Sequence, residues 1–276
     1  MTRALVLGGG GMTGIAWEFG ILEGLRRAGV ALADADLIIG TSAGSVVGAV
    51  LAAGVDLAAA VEHQRAAVDG AAPAVDVTPA LAAFALLADR SRPRAEAMAE
   101  VGRMALAAPT GDEAAHVARL RAQLPVAEWP GRDLRITAVD TADGEPAVFD
   151  RAGGVPLPLA VAASCAVPCV FPPVTIGDRR YMDGGVRSGT NADLAAGAAA
   201  MIVIAPMGAL LAPVIRREIA AAGAHRSLVV EPDEQAVEAI GPNVLDPSRR
   251  AAAVDAGLRQ GAALAAAARE VWAATG

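Results

Sequence analysis

The chain has no lysine. All 23 basic residues among its 276 are arginine, set against 30 acidic ones, for a formal charge of -7 and a pI near 5.0. An acidic field of this kind repels nucleic-acid backbones and anionic head groups, so no nucleic-acid partner is expected and any membrane contact should be transient and apolar. Aromatic residues make up only 3% of the chain, and the 54% hydrophobic content rests on alanine and aliphatic side chains, which favour helices and close packing. Cysteine is nearly absent: Cys165 and Cys169, four residues apart with no further thiols, supply neither a disulfide framework nor a zinc site. They read as reduced, packed thiols, and no metal or cofactor is implied.

A signal-peptide core is also missing, because MTRALVLGGGG places glycines where the apolar run would continue. The segment reads as a first strand of a cytoplasmic protein. Residues 152–177 and 194–215 carry no charge and are long enough to span a bilayer. Pro156, Pro158, Pro168, Pro172 and Pro173 in the first, and Pro206 and Pro213 in the second, interrupt a membrane helix. Both are expected to be buried segments of a globular fold.

What is present is alternation of strand and helix. Arg3–Leu7 is a short strand running into glycines, and residues 15–28 have helical apolar spacing closed by Gly29. Residues 37–39 form a second apolar strand that enters Gly40-Thr41-Ser42-Ala43-Gly44, followed by a helix over 45–53. Residues 56–123 are alanine-rich, with breaks near 70–79, at Pro93 and at 109–111, and predict three or four helices. Strands resume at 134–139, 147–149, 174–176, 180–182, 201–205 and 228–230. Residues 247–274 predict a long amphipathic helix with Val254, Leu258 and Leu264 on its apolar face. The order implies an α/β fold, a mainly parallel central sheet flanked by helices, in one domain whose segment 56–133 forms a helical cap.

The strongest chemical signal is Gly40-Thr41-Ser42-Ala43-Gly44, since small residues two before and two after a serine permit a strained strand-to-helix turn that exposes the hydroxyl. The helix that follows aims its positive end at a developing oxyanion. The loop at residues 8–14, with Gly9, Gly11 and Gly14, can add further backbone donors. The same loop fits a dinucleotide fingerprint, with Asp34 and Asp36 about 20 residues on. A second glycine-flanked turn, this one carrying a serine, and the triplet Asp183-Gly184-Gly185 after a strand favour hydrolysis over nucleotide binding. His63, His116 and His225 have no flanking motif and read as surface or core residues. A carboxylate in an apolar pocket can take the proton instead, so Ser42 and Asp183 suffice as nucleophile and base.

Together GGGGMTG (8–14), GTSAG (40–44), ASCAVPCVFPPV (163–174) and DGG (183–185) resemble the patatin-like phospholipases in order and spacing. The resemblance implies a three-layer α/β sandwich and a Ser-Asp dyad of Ser42 and Asp183. It further implies an oxyanion hole from the amides of Gly10, Gly11 and Met12, and cleavage of lipid acyl esters through an acyl-enzyme without cofactor. Two alternatives stay open: a non-catalytic lipid-binding protein of the same fold, and a nucleotide-binding Rossmann protein. Thr13 stands where the family usually has arginine or lysine, which weakens the expectation of an anionic phospholipid. Ala192 follows Asn191 where the family tends to have proline, a change expected to affect only a loop.

Overall fold

Runs of leucine, isoleucine and valine too short for helices become the buried middle of a sheet. The computed structural model describes residues 2–66, 76–89 and 91–273. Eight strands form among them: Arg3–Leu7 (β1), Leu37–Thr41 (β2), Asp133–Asp140 (β3), Pro146–Phe149 (β4), Val174–Ile176 (β5), Arg179–Asp183 (β6), Ala200–Ile204 (β7) and Arg226–Val230 (β8). The parallel core has the order β3-β2-β1-β7-β8, while β4, β5 and β6 join antiparallel at the β3 side. Leu5 and Leu7 project into one apolar layer with Ile38, and Ala4 and Val6 into the opposite layer with Leu37 and Ile39. Helices cover both faces, which gives the three layers.

The helices are Gly11–Arg27 (α1), Ala43–Ala52 (α2), Leu57–Arg65 (α3), Thr78–Ala88 (α4), Arg94–Ala107 (α5), Glu113–Ala122 (α6), Leu157–Ser164 (α7), Gly208–Ala222 (α8), Glu234–Ile240 (α9) and Arg250–Trp272 (α10). Four helices lie among the described residues of the alanine-rich stretch, within the three or four that its spacing predicts, and part of the break at 70–79 lies outside the described residues. The uncharged stretch 194–215 is not helix-free. It holds β7 and the first half of α8, with Pro213 inside the helix. Among the described residues no helix is long and apolar enough to cross a membrane.

Two expectations are corrected by packing. Helix α1 starts at Gly11 rather than residue 15, so half of the glycine loop is the first helical turn. Helix α10 buries Ala253, Val254, Gly257, Gln260, Gly261, Ala265, Ala268 and Trp272, while Leu258 and Leu264 are only partly buried. The reason is close contact with α1: a Cβ on Gly20 would fall 2.8 Å from the Leu258 nitrogen, so the seam selects small residues over large apolar ones.

Candidate active site

In a doubly wound sheet the crevice lies outside the carboxyl ends of the strands, where neighbouring connections diverge. Strands β1 and β2 end there in the two glycine turns. The reversal between β2 and α2 falls on Ser42, at φ 52° and ψ -117°. A non-glycine residue held there costs of order 1–3 kcal/mol and persists only where its surroundings enforce it. They do so here. The Ser42 N–H donates to Ser164 Oγ at 2.9 Å, and the Ser42 carbonyl accepts from Ser45 N at 2.8 Å, Ser45 Oγ at 2.7 Å and Cys165 Sγ at 3.3 Å. Gly40 and Gly44 make the turn sterically possible: a Cβ on Gly40 would lie 2.6 Å from the Gly44 oxygen, and one on Gly44 would strike the Leu7 backbone.

The glycine loop lies beside this elbow. Gly9 N donates to Gly189 O at 2.8 Å, Thr13 N to Val244 O at 3.1 Å and Gly14 N to Gly10 O at 2.9 Å, while Gly44 N ties α2 to Gly8 O at 3.0 Å. The amides of Gly10, Gly11 and Met12 make no hydrogen bond among the described residues, nor does that of Ala43 at the start of α2. Gly11, Met12, Ser42 and Ala43 line one cleft, so two helix N-termini meet there. Thr13 is fully buried and its Oγ1 donates to Val244 O at 3.3 Å.

Register brings Asp183 to the same place. Strand β3 pairs with β2 through Thr137 and with β6 from Ala138 onward, while β4 occupies its other edge. Strand β6 therefore continues the line of β2 past its end, which sets Asp183 beyond Thr41. The Asp183 carboxyl is buried. Gly185 N donates to Oδ1 at 2.7 Å, and Oδ2 has no hydrogen-bond partner of ordinary geometry. Burial pushes its pKa up to about 6, with the Ser42 hydroxyl and the Gly185 amide holding it below what burial alone would give. Gly184 packs against Thr137, where a side chain would collide.

Several supporting residues carry no sequence signal. Asn191, at φ 53° and fully buried, donates through Nδ2 to Thr41 Oγ1, Thr137 Oγ1 and Ser188 O and accepts from Arg187 through Oδ1. Glu218 accepts from Thr190 Oγ1 at 2.7 Å and Ala192 N at 3.0 Å, and Arg94 on α5 donates to the carbonyls of Val186 and Arg187. None of these contacts is local in sequence except those around Ser188.

The histidines stand apart from Ser42. His63 is exposed on α3, and His225 is exposed at the start of β8, the opposite end of the sheet from Ser42. His116 is a core histidine. It stacks on Phe171 with centroids 5.2 Å apart, its Nε2 meets Ala162 O at 3.0 Å and its Nδ1 meets Arg119 Nη2 at 2.6 Å. With both nitrogens engaged, and with burial lowering its pKa, it is a neutral structural ring.

The empty space above Ser42, counted out to solvent, is about 440 Å³, walled by Met12, Ile15, Leu120, Val167, Phe171 and Leu245. Cys165 also faces it, with a thiol that burial pushes up to about 12 and so keeps protonated. Cys165 and Cys169 are both free. Among the described residues no cluster of three or more histidine, cysteine or acidic side chains is arranged to hold a metal.

This is the arrangement of an α/β protein whose serine turn, glycine loop and buried carboxyl share one sheet edge. Residues 5–196 match the family model for patatin-like phospholipase, and the chain belongs to that family. Family membership answers the choice left by the glycine loop in favour of the patatin type over the dinucleotide type. Among solved structures, VipD from Legionella pneumophila aligns with 96% of this chain and 67% of its own, at 12% identity and a TM-score of 0.47. The type III effector protein ExoU aligns with 95% of this chain at 16% identity and a TM-score of 0.37, and the chain spans 53% of its length. No curated protein matches the chain in sequence.

Proposed function

We propose that the chain hydrolyses acyl esters of lipids with Ser42 as nucleophile and Asp183 as the only base. The observation that carries this reading is the buried Asp183 carboxyl, whose Oδ2 has no partner of ordinary hydrogen-bond geometry among the described residues, set close enough to the Ser42 hydroxyl on its positive-φ turn for that group to lower its pKa. An unpaired buried carboxylate is costly to keep, and such perturbed groups gather at functional sites.

Ser42 Oγ attacks the ester carbonyl carbon while its proton passes to Asp183 Oδ2. The amides of Gly10, Gly11 and Met12, with Ala43, hold the resulting oxyanion at the two helix N-termini. Protonated Asp183 then gives its proton to the leaving alcohol, and the acyl-enzyme forms. Water attacks that ester, Asp183 takes its proton, and collapse releases the fatty acid and returns the proton to Ser42. Neither histidine nor metal enters the cycle.

The helical segment 56–133 serves as a cap over the sheet edge, with Arg119 and Leu120 of α6 already in the cleft wall. Exposed Leu81 and Phe84 on α4 and Leu210 at the start of α8 supply the apolar contact for a lipid surface. The experiment is labelling with a fluorophosphonate: the adduct is expected on the peptide holding Ser42 and absent in Ser42→Ala. Absence of any adduct at saturating probe would falsify the nucleophile.

A further inference from the structure

Among the described residues that line the cleft above Ser42, Arg119 is the one charged side chain, in a protein whose formal charge is -7. Its guanidinium lies 4.4 Å from the centre of the Phe171 ring, and Nη2 donates to His116 Nδ1 at 2.6 Å. His116 is itself fixed by Ala162 O, so its Nε2 carries the proton and Nδ1 is left as an acceptor for Arg119. The guanidinium is thus held from one side by two rings. No carboxylate pairs with it among the described residues; Arg119 is exposed, and apart from its hydrogen bond to His116 its donors face solvent, where a ligand can displace water from them.

The contrast with neighbouring arginines is informative. Arg179 pairs with Asp140 and Asp143, Arg180 with Glu113 and Arg187 with Asp193. A cation positioned by a neutral ring and an aromatic face, rather than by an acid, keeps its full charge for a ligand. The two helix N-termini at Gly11 and Ala43 add positive potential to the same space. Within a molecule of net negative charge, and beside the Asp183 carboxyl, the cleft wall itself thus carries a cation and two positive helix ends.

We infer that Arg119 is an anion-binding, specificity-determining residue, and that the preferred substrates are acyl esters bearing a phosphate or carboxylate group within reach of the scissile bond. The inference rests on the acyl-hydrolase reading for its turnover arm alone. It places the charge that recognises the substrate on α6, while the glycine loop carries the uncharged Thr13.

The test compares 1-acylglycerol with 1-acylglycerol 3-phosphate of the same acyl chain, and a neutral nitrophenyl ester with its ω-carboxylated counterpart. The wild type should favour the anionic member, and Arg119→Gln should lower the anionic-to-neutral ratio of kcat/KM by roughly 10- to 100-fold, mostly through KM. Arg119→Lys, which keeps the charge but loses the fork and the stack, should fall between. Loss confined to the phosphate pair, or to the carboxylate pair, identifies which group the site takes. A ratio unmoved by Arg119→Gln in both pairs overturns the inference. A binding arm works without turnover: in Ser42→Ala, calorimetric Kd for the acylglycerol phosphate should weaken by a similar factor when Arg119→Gln is added. If the wild type hydrolyses nothing yet this binding depends on Arg119, the hydrolase reading fails and the anion site stands. If binding is indifferent to Arg119, the anion site fails.

Discussion

Asn191 Nδ2 donates to Thr41 Oγ1 at 3.0 Å, joining the last residue of β2 to a side chain 150 positions away. The same nitrogen meets Ser188 O at 2.8 Å, and Thr41 Oγ1 also contacts Thr137 Oγ1 at 2.9 Å. The strand that presents Ser42, the strand that precedes Ala138 and the segment that follows Asp183 are thereby fastened at one buried point. The Ser42 and Asp183 positions are coupled through this knot as well as through the sheet.

Asn191→Leu removes the side chain that Thr41, Thr137 and the Arg187 guanidinium share, and puts a branched side chain at φ 53°. A loss of about 2 to 3 kcal/mol in unfolding free energy is expected from urea titration. Asn191→Gly, which suits the backbone but removes the donor, should lose less stability and still lower kcat. An unchanged kcat in both variants would separate the knot from the active site.

The main sheet and the three glycine turns were legible in the sequence because each is a local pattern of a few residues: an apolar run, then small residues, then a helix. Thr41, Thr137 and Asn191 gave no such pattern, since their meaning is a contact between segments far apart. Helix α10 misled in the same way: leucine spacing pointed to Leu258 and Leu264, whereas the α1 seam prefers Gly257 and Gly261 because the two backbones nearly touch. Position 13 shows the converse. An uncharged residue there reads as a lost charge at the site, whereas in the fold Thr13 is buried against Val244 O and the cleft wall carries Arg119.

Ser164 precedes Cys165 in the segment that the sequence marked, and its Oγ is the sole acceptor found for the Ser42 amide. Ser164→Ala should release that amide and let the strained turn relax. We expect a loss of about 1 to 3 kcal/mol, the cost of leaving a buried N–H without its partner, and a kcat loss of roughly tenfold or more if Ser42 is the nucleophile proposed, because its hydroxyl is then misplaced. Restoration of kcat by Ser164→Thr would tie the effect to the hydroxyl, and equal loss in both variants would point to packing instead.

The proposed role of Asp183 as base predicts the pH dependence of the activity. As a base it works ionised, so kcat/KM should rise through a midpoint near pH 6 and level off above it. Asp183→Asn should remove the limb along with about 10²- to 10⁴-fold of the rate, the usual contribution of a general base. A limb that persists with the same midpoint in the residual activity would assign it to another group.

The same carboxyl should cost the fold stability. Its pKa is raised from an ordinary 3.8 to about 6, so the folded state holds the proton more tightly than the unfolded chain. Its stabilising linkage is complete below pH 3.8 and is lost as pH rises through about 6, a difference of about 3 kcal/mol. Asp183→Asn should therefore unfold at higher urea than the wild type at pH 7.5, with the gap closing toward pH 4. Wild type and variant tracking each other across that range would show that the carboxyl is not strained.

Glu18 makes a sharper case, because neither of its oxygens has a hydrogen-bond partner and its side chain is fully buried on α1. Burial holds its pKa well above the usual carboxylate range, and the Gly8 amide, already donating to Ile204 O at 2.9 Å, offsets only part of that. By the same linkage the folded protein gains from Glu18 only where the unfolded chain would also be protonated, and it loses stability as pH climbs above the unfolded value. Glu18→Met removes the buried acid while keeping the chain length and should raise the urea midpoint at pH 7.5 while changing it little at pH 4. Glu18→Gln should also flatten the pH dependence, but with less gain, since its amide remains buried without partners. Because Glu18 lies beside Gly8 at the foot of the glycine loop, kcat measured alongside tells the two roles apart: a stabilised variant with full kcat marks Glu18 as a burden on the fold, and one with reduced kcat marks it as a support for the loop.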